Sequence, residues 1–439
     1  MRRAGGARRR WGLAGKVLVT VVSVVVLTAA GYGWSTFRAL AGSIVTSDVL
    51  SDGTTASGSP SRTITALLVG VDSRTDAQGR PLPQDVLDRM HAGPDDGQLN
   101  TDTIMLLRIP ADPAKPVVAV SFPRDSYVKL AGDYGTHKIN SAYGRAVTDA
   151  KRTLEAQGVT GAALQRQAQE AGRKELVATV SQLTGIVVDH YAEINLAGFV
   201  ELTDAIGGVP VCLTEPVDDA RYSGAVLPAG PQTLDGAEAL AFVRQRHGLA
   251  AGDLDRITRQ QAYMAGLAHT LLGGGRLADP ATVQRLLGIV GRYVVLDQGW
   301  DLDQLVDQVR RVSASNVEFH TIPTVRSDLY TPGDGVAVQI DPATVRSFVR
   351  STLDGLPVPP TTGTSAGATP STAPSTAPST ATPSTARTTT PTGPAMTTRA
   401  PTTGATTRPP ATPPTTPPTT GAPTTTVRPI TGATVPCVS

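Results

Sequence analysis

The chain has 439 residues, and its 39 basic and 37 acidic residues give a net charge of +2. Six basic residues and no acid lie in residues 1–16, four arginines and no acid lie in residues 356–439, and residues 17–355 therefore carry a net charge of −8. An acidic central region argues against a nucleic-acid-binding domain, which needs a basic face. Two cysteines without a CxxC pair exclude a disulfide-dense scaffold and a zinc ribbon.

The N-terminal segment predicts a membrane anchor. Residues 17–34 form an uncharged, mostly apolar run, which is at the short end of the length that spans a bilayer. The basic residues 1–16 precede it, so the positive-inside rule places them in the cytoplasm and the following chain outside. A cleaved signal peptide is the alternative interpretation. In both cases we expect the functional domain to lie outside the cell membrane, after a linker over residues 35–61.

Residues 62–355 alternate strand-like and helix-like patterns, which predicts one mixed α/β domain. Predicted strands cover residues 65–71, 103–109, 117–122, 209–213, 239–246 and 317–322. Predicted helices cover residues 174–183, 196–206, 254–272, 302–312 and 342–353, and Asp253 is the expected N-cap of the third.

Residues 356–439 predict a disordered tail. Nineteen of the 35 prolines and no Phe, Tyr or Trp lie in it, so it cannot bury a core. Its repeated Pro, Thr, Ser and Ala units favour extended, solvated conformations. An O-glycosylated stalk is an equally good interpretation. The tail ends near Cys437, and the sequence leaves open whether this residue pairs with Cys212.

A group of cationic and amide side chains predicts an anion site. Arg244 and Arg246 are two residues apart, so both project from one face of the predicted strand 239–246. Arg256 and Gln260 are four residues apart and lie on one side of the following helix. A short loop joins the two elements, so these groups converge. Arginine forks suit phosphate or pyrophosphate, and surface ion pairs are the alternative.

A second group lies next to the ends of the first three predicted strands. Asp72 and Arg74 follow the first, Asp102 precedes the second, and Arg124 and Asp125 follow the third. Residues just beyond strand ends commonly form sites in open α/β sheets. Two carboxylates from different strands can hold a hard cation such as Mg²⁺. Turn and capping roles are the alternative for each residue.

Seven segments, in order and spacing between about residues 62 and 275, resemble the LytR-CpsA-Psr family, and residues 276–355 resemble the rest of the same domain. They read LLVGVDSRTD, NTDTIMLLRI, AVSFPRDSYV, HKINSAYGRA, GFVELTDAIGGVPVCL, LPAGPQTLDGAEALAFVRQRH and DLDRITRQQ. The resemblance implies a three-layer α/β/α domain with a mixed central sheet and a pocket for a polyprenyl chain. It also implies a phosphotransferase that moves a glycopolymer from a polyprenyl pyrophosphate to a peptidoglycan hydroxyl, forming a phosphodiester.

The same resemblance implies roles for individual residues. Asp72 and Asp102 match the aspartates that hold Mg²⁺, with Mn²⁺ as an alternative, and act with Arg124 in catalysis. The residues matched to pyrophosphate binding are Arg74, Arg124, Lys138, Arg244, Arg246, Arg256 and Gln260. Asn140 falls in a matching motif, and the roles of Arg74 and Lys138 are the least defined.

Three features depart from the family pattern. Asn100 stands where the family often has arginine. The segment between the two metal-side aspartates is longer than expected, and its Arg80 or Arg89 is a candidate replacement for that arginine. Some relatives pair a cysteine like Cys212 with one near position 231, which is Pro231 here, so that local disulfide is absent.

Two alternative functions use the same residues: a polyprenyl-pyrophosphate hydrolase, and a non-catalytic envelope protein that binds lipid-linked glycans. Residues 174–186, 196–206 and 254–272 carry enough apolar surface to line a lipid slot, with ordinary core packing as the alternative. The chain has no HExxH or GxSxG motif, which argues against a zinc or serine hydrolase. The sequence does not identify the glycopolymer, whether teichoic acid, capsule or arabinogalactan.

Overall fold

The computed structural model describes residues 44–50, 63–91, 99–245, 247–249, 252–273, 279–300, 312–355, 430–432 and 434–439. The strands are β1 Val45–Ser47, β2 Ile64–Val71, β3 Thr101–Ile109, β4 Val117–Ser121, β5 Ser126–Lys129, β6 Thr136–Lys138, β7 His190–Asn195, β8 Val209–Leu213, β9 Val217–Asp219, β10 Ala225–Leu227, β11 Gly230–Leu234, β12 Val294–Asp297, β13 Val317–Thr321, β14 Arg326–Thr331, β15 Gly335–Gln339, β16 Ile430–Thr431 and β17 Cys437–Val438. The helices are α1 Gln84–Arg89, α2 Ser141–Ala156, α3 Gly161–Thr184, α4 Leu196–Ala205, α5 Gly236–Arg244, α6 Asp253–Ala268, α7 Pro280–Tyr293 and α8 Pro342–Asp354, with a π-helical turn His269–Gly273 after α6.

A mixed eight-stranded sheet forms the centre of the domain, in the order β1-β12-β7-β2-β3-β4-β13-β16. Strand β2 runs antiparallel to β3 and parallel to β7, while β4 is antiparallel to β3 and parallel to β13. The predicted mixed α/β fold is therefore confirmed. Smaller sheets, in the orders β11-β8-β17, β10-β9 and β14-β15-β5-β6, complete the domain.

Helices cover both faces of the large sheet, because alternate residues of its strands point to opposite sides. On one face Leu106 of β3 belongs to a buried cluster with Leu176 of α3 and Val349 of α8. On the other face its neighbour Met105 packs in a cluster with Ala265 of α6 and Phe319 of β13. The result is three layers, with the sheet between two helical layers.

The last residues of the chain belong to this domain. Residues 356–439 were predicted as one disordered tail, but β16 pairs with β13, and β17 pairs in parallel with β8. A disulfide joins Cys437 to Cys212, and Val438 is buried. These contacts satisfy edge-strand hydrogen bonds that a free tail leaves open. Likewise β1, within the predicted linker 35–61, pairs with β12.

One predicted strand is wrong: residues 239–246 fall largely in α5. Asp235 caps this helix, because its carboxylate accepts a hydrogen bond from the Glu238 amide while the Glu238 side chain accepts one from the Asp235 amide. This capping box and the buried apolar run behind it favour a helix over a strand. Arg244 is the last helical residue, and Arg246 lies outside the described residues. The two arginines therefore do not share a strand face.

Smaller differences concern the ends of other helices. Asp253 is the first residue of α6, and Gly252 is its N-cap. The predicted anchor 17–34 and residues 302–311 of the predicted helix 302–312 lie outside the described residues. Among the helices that the structure describes, none is both long enough and apolar enough to cross a membrane.

Candidate functional site

A cavity of about 400 Å³ opens where β2 ends and β3 begins. The antiparallel register places Val71 opposite Thr101, and the Asp72 amide donates to the carbonyl of Asn100 at 3.0 Å. Strand β4 runs antiparallel beside β3, so Arg124, just beyond the end of β4, reaches Asp102. The charged side chains of the lining belong to Asp72, Asp102, Arg124, Asp219, Arg244 and Arg256, with His247 beside them.

Arg124 is the best-anchored cation of the cavity. It forms an ion pair with Asp102, and its Nε lies 3.8 Å from Asp125 Oδ1. Lys138 Nζ lies 3.5 Å from the same oxygen. Burial lowers the pKa of the Arg124 guanidinium, but Asp102 and Asp125 outweigh it, so the pKa is raised above its ordinary value. Arg124 therefore presents a fixed positive charge to the cavity.

Asp72 lies between two arginines. Its Oδ1 is 3.5 Å from Arg74 Nη1, and its Oδ2 is 3.8 Å from Arg244 Nη2. Arg244 also donates through Nη1 to the carbonyl of Met90 at 3.4 Å. Met90 directly follows α1, so the long insert between the two aspartates helps to hold this arginine.

Arg256 is almost fully buried and projects from the first turn of α6. It forms an ion pair with Asp253, while its Nε has no hydrogen-bond acceptor among the described residues. Burial, reinforced by the charge of Arg124, lowers the pKa of Arg256, and burial raises the pKa of Asp253. Buried polar groups are normally hydrogen-bonded, so a buried donor without an acceptor suits an anionic ligand. Asp253 was expected only as a helix cap and not as a site residue, although its spacing of three from Arg256 is typical of an ion pair on one side of a helix.

The remaining predicted residues divide between the lining and the surroundings. Gln260 lines the cavity and donates to the Asp102 carbonyl at 3.4 Å. Arg74 contacts Asp72 of the lining, and Lys138 contacts Asp125 beside it, but neither cation lines the cavity itself. The main-chain amide of Asn140 donates to the Arg124 carbonyl at 3.1 Å. Arg246 is not described.

Neither candidate replacement for the arginine expected at position 100 lines the cavity. Arg80 is exposed and forms an ion pair with Asp76 at 2.7 Å. Arg89 lies in the last turn of α1. Asn100 itself is in the lining, so the described part of the insert contributes support for Arg244 rather than an additional cation.

An apolar pocket of about 150 Å³ adjoins the charged cavity. The two share Gly70, Thr103, Ile194, Phe199, Val243 and Gln260. The pocket lies between the large sheet and helices α4, α5 and α6, so two of the three predicted apolar segments line it. The predicted contribution of residues 174–186 is wrong, because α3 packs against the opposite face of the sheet.

Asp72 and Asp102 fit a magnesium ion by their chemistry. Within the described ranges there is no group of three or more His, Cys, Asp or Glu side chains that could hold a metal. Magnesium, however, is commonly held by one or two carboxylates together with water and substrate phosphates. Two carboxylates on the wall of one arginine-lined cavity meet that requirement.

A family model described as the LytR_cpsA_psr family matches residues 43–346. The chain is 44% identical over 345 residues to the cell wall biosynthesis protein LcpA of Corynebacterium glutamicum, covering 76% of this chain and 65% of that protein. It is 29% identical over 242 residues to the polyisoprenyl-teichoic acid–peptidoglycan teichoic acid transferase TagU of Oceanobacillus iheyensis, covering 55% and 60%. The chain thus spans less than two thirds of these relatives.

Two solved structures resemble the domain. B. subtilis TagV has a TM-score of 0.48 and 21% identity, covering 67% of this chain and 98% of that one. A LytR-Csp2A-Psr enzyme from Actinomyces oris has a TM-score of 0.45 and 20% identity, covering 70% and 94%.

Proposed function

Because this chain belongs to the LytR-CpsA-Psr family, we propose that it is a cell-wall phosphotransferase. It moves a glycopolymer from a polyprenyl pyrophosphate to a peptidoglycan hydroxyl. The names of the relatives LcpA, a cell wall biosynthesis protein, and TagU, a teichoic acid transferase acting on peptidoglycan, support this class of reaction. The observation that carries the proposal is the junction of an arginine-lined cavity with an apolar pocket, because a polyprenyl pyrophosphate has the same two parts.

The cationic side chains account for binding of the pyrophosphate. Arg124, Arg244 and Arg256 line one cavity, and arginine forks hydrogen-bond phosphate oxygens in pairs. The buried Nε of Arg256 gains an acceptor when the anion enters. The first part of the polyprenyl chain lies in the adjoining pocket, between Phe199 and Met264. We include Arg74 and Lys138, which contact carboxylates at or beside the cavity, as further candidates for the same anion site. Arg246 is retained as a candidate on the sequence alone.

The reaction is a displacement at the phosphorus that carries the glycan. A peptidoglycan hydroxyl oxygen forms the new O–P bond, the bond to the bridging pyrophosphate oxygen breaks, and polyprenyl phosphate leaves. Phosphoryl transfer depends on positioning and on neutralising charge, which the fixed arginines supply. A carboxylate oxygen of Asp72 or Asp102 accepts the hydroxyl proton.

Asp72 and Asp102 are also the residues that would hold Mg²⁺ or Mn²⁺ in this proposal. The bound ion would add positive charge next to the phosphate oxygens. The two carboxylates are held in the cavity wall by Arg74, Arg244 and Arg124.

We further propose that residues 17–34 anchor the protein in the cell membrane with residues 1–16 in the cytoplasm, so that the domain faces the cell wall. The disulfide between Cys212 and Cys437 supports this location, because disulfides persist in oxidising compartments.

The test is reconstitution of the full chain with a polyprenyl-pyrophosphoryl glycan and peptidoglycan oligomers, followed by mass spectrometry. The expected products are a phosphodiester-linked conjugate and polyprenyl phosphate, and Asp102→Asn should abolish both. Asp354→Asn is the matched control, since Asp354 pairs with Arg108 away from the cavity. Release of free glycan phosphate without coupling would instead assign a hydrolase, and unchanged substrate would assign a binding protein.

A further inference from the structure

The hairpin of β9 and β10 forms part of the cavity wall. It carries side chains that have no role in the proposed reaction. Tyr222, in the turn of this hairpin, stacks on the His247 ring with centroids 3.7 Å apart and 23° between the planes. Both rings belong to the cavity lining, yet Tyr222 is 59% exposed. The stacked pair therefore presents aromatic surface at the mouth of the cavity.

A buried carboxylate lies next to His247 of this pair. Asp219 is 5% exposed and lines the same cavity. Its Oδ1 is 3.8 Å from His247 Nδ1, and its Oδ2 is buried without a hydrogen-bond donor among the residues that the structure describes. Its main-chain oxygen accepts from the amides of Tyr222, Ser223 and Gly224, each at 3.1 Å, which fixes the turn.

These features suit a ligand with an apolar face and hydroxyl donors. An aromatic surface packs against C–H groups, whereas a buried carboxylate oxygen without a donor needs an O–H or N–H group. A phosphate cannot satisfy Asp219, because both groups are negatively charged. A pyranose ring carries both complementary parts, with C–H groups on its faces and hydroxyls at its edge.

We propose that Tyr222, His247 and Asp219 form a subsite for a pyranose ring next to the pyrophosphate. The inference rests on the proposed function and adds to it a group that recognises sugar. The ring comes either from the first sugar of the donor glycan or from the peptidoglycan acceptor. In both cases Asp219 Oδ2 accepts from a sugar hydroxyl, and the Tyr222–His247 pair contacts the face of the ring.

The test compares three probes by calorimetry with the full chain: farnesyl pyrophosphate, farnesyl-pyrophosphoryl-N-acetylglucosamine, and an N-acetylglucosaminyl-N-acetylmuramic acid disaccharide. For a donor subsite, the attached sugar should increase the affinity of the wild type about tenfold, the sum of a stacking contact and a hydrogen bond. Tyr222→Ala and Asp219→Asn should lose most of this gain, whereas Tyr222→Trp should keep it. For an acceptor subsite, the same variants should weaken binding of the disaccharide instead.

Tyr330→Ala is the matched control, because Tyr330 is also an exposed tyrosine but lies on β14, outside the cavity lining. The inference is overturned if neither sugar probe gains affinity from Tyr222 and Asp219, or if the variants weaken all probes equally. A wild type that binds no farnesyl pyrophosphate would overturn the proposed function as well, whereas normal binding of that probe without sugar discrimination would overturn the subsite alone.

Discussion

Replacing Cys437 with serine should strongly destabilise the domain. The disulfide to Cys212 joins positions 225 residues apart, so it removes much conformational freedom from the unfolded chain. The chain-entropy model gives about 5 kcal/mol for a loop of this length, although strain and residual structure commonly reduce the measured value to about 2–4 kcal/mol. We therefore expect Cys437→Ser to lower the free energy of unfolding by about 4 kcal/mol and the melting temperature by roughly 10 °C.

Urea unfolding and calorimetry of the full chain measure this effect. Cys212→Ser and the double variant should match Cys437→Ser, because each removes the same bond and the effects of coupled residues are not additive. Reduction of the wild type by a phosphine should give the same loss. An unchanged melting temperature after reduction, or losses of the two single variants that add in the double variant, would show that the disulfide does not stabilise the domain in this way.

Three further predictions concern the buried charges and the metal. Arg259→Met should cost about 3 kcal/mol in urea unfolding, because buried Arg259 donates to the side-chain oxygen of buried Gln245 and to the main-chain oxygen of Ser439, and its loss leaves the Gln245 acceptor unpaired; a wild-type-like midpoint would contradict these contacts. Asp253→Asn should also cost about 3 kcal/mol, since it leaves Arg256 buried beside Arg124 without its counter-ion. Inorganic pyrophosphate should then raise the melting temperature of this variant more than that of the wild type, and an equal rise would argue against an anion site at Arg256. Chelation by EDTA should abolish transfer, with recovery in Mg²⁺ or Mn²⁺; full activity in EDTA would refute the metal assignment.

Much of the charged cavity could be predicted from the sequence. Asp72 and Arg124 follow β2 and β4, and Asp102 lies at the start of β3; apolar runs identify all three strands, and their pairing brings these ends together. Arg244 lines the cavity, but the predicted strand over residues 239–246 was wrong. A short buried apolar run does not distinguish a strand from a helix. The capping box at Asp235 and Glu238 was the local signal that decides between them.

Other features depend on contacts that no local pattern encodes. Asp219 and Tyr222 reach the cavity through a hairpin, and His247, which follows α5 in the chain, contacts both of them. Cys437 likewise reaches β8 from a position 225 residues away from Cys212 in the sequence. Strand β8 lies between β11 and β17, with Pro231 opposite Cys212 on one side and Cys437 opposite it on the other. Cys212 thus faces a possible partner position on each neighbouring strand, and its disulfide is formed with Cys437 on β17 because position 231 on β11 is proline.

The attachment of the C-terminal strands to the domain determines the result of cleavage between α8 and β16. Helix α8 ends at Asp354 and β16 begins at Ile430, so both flanks of residues 356–429 lie on the folded domain. A protease that cuts within this segment would not release the C-terminal piece, because the bond between Cys212 and Cys437 still holds it. The nicked protein would migrate as one band on a denaturing gel without reductant and as two bands after reduction.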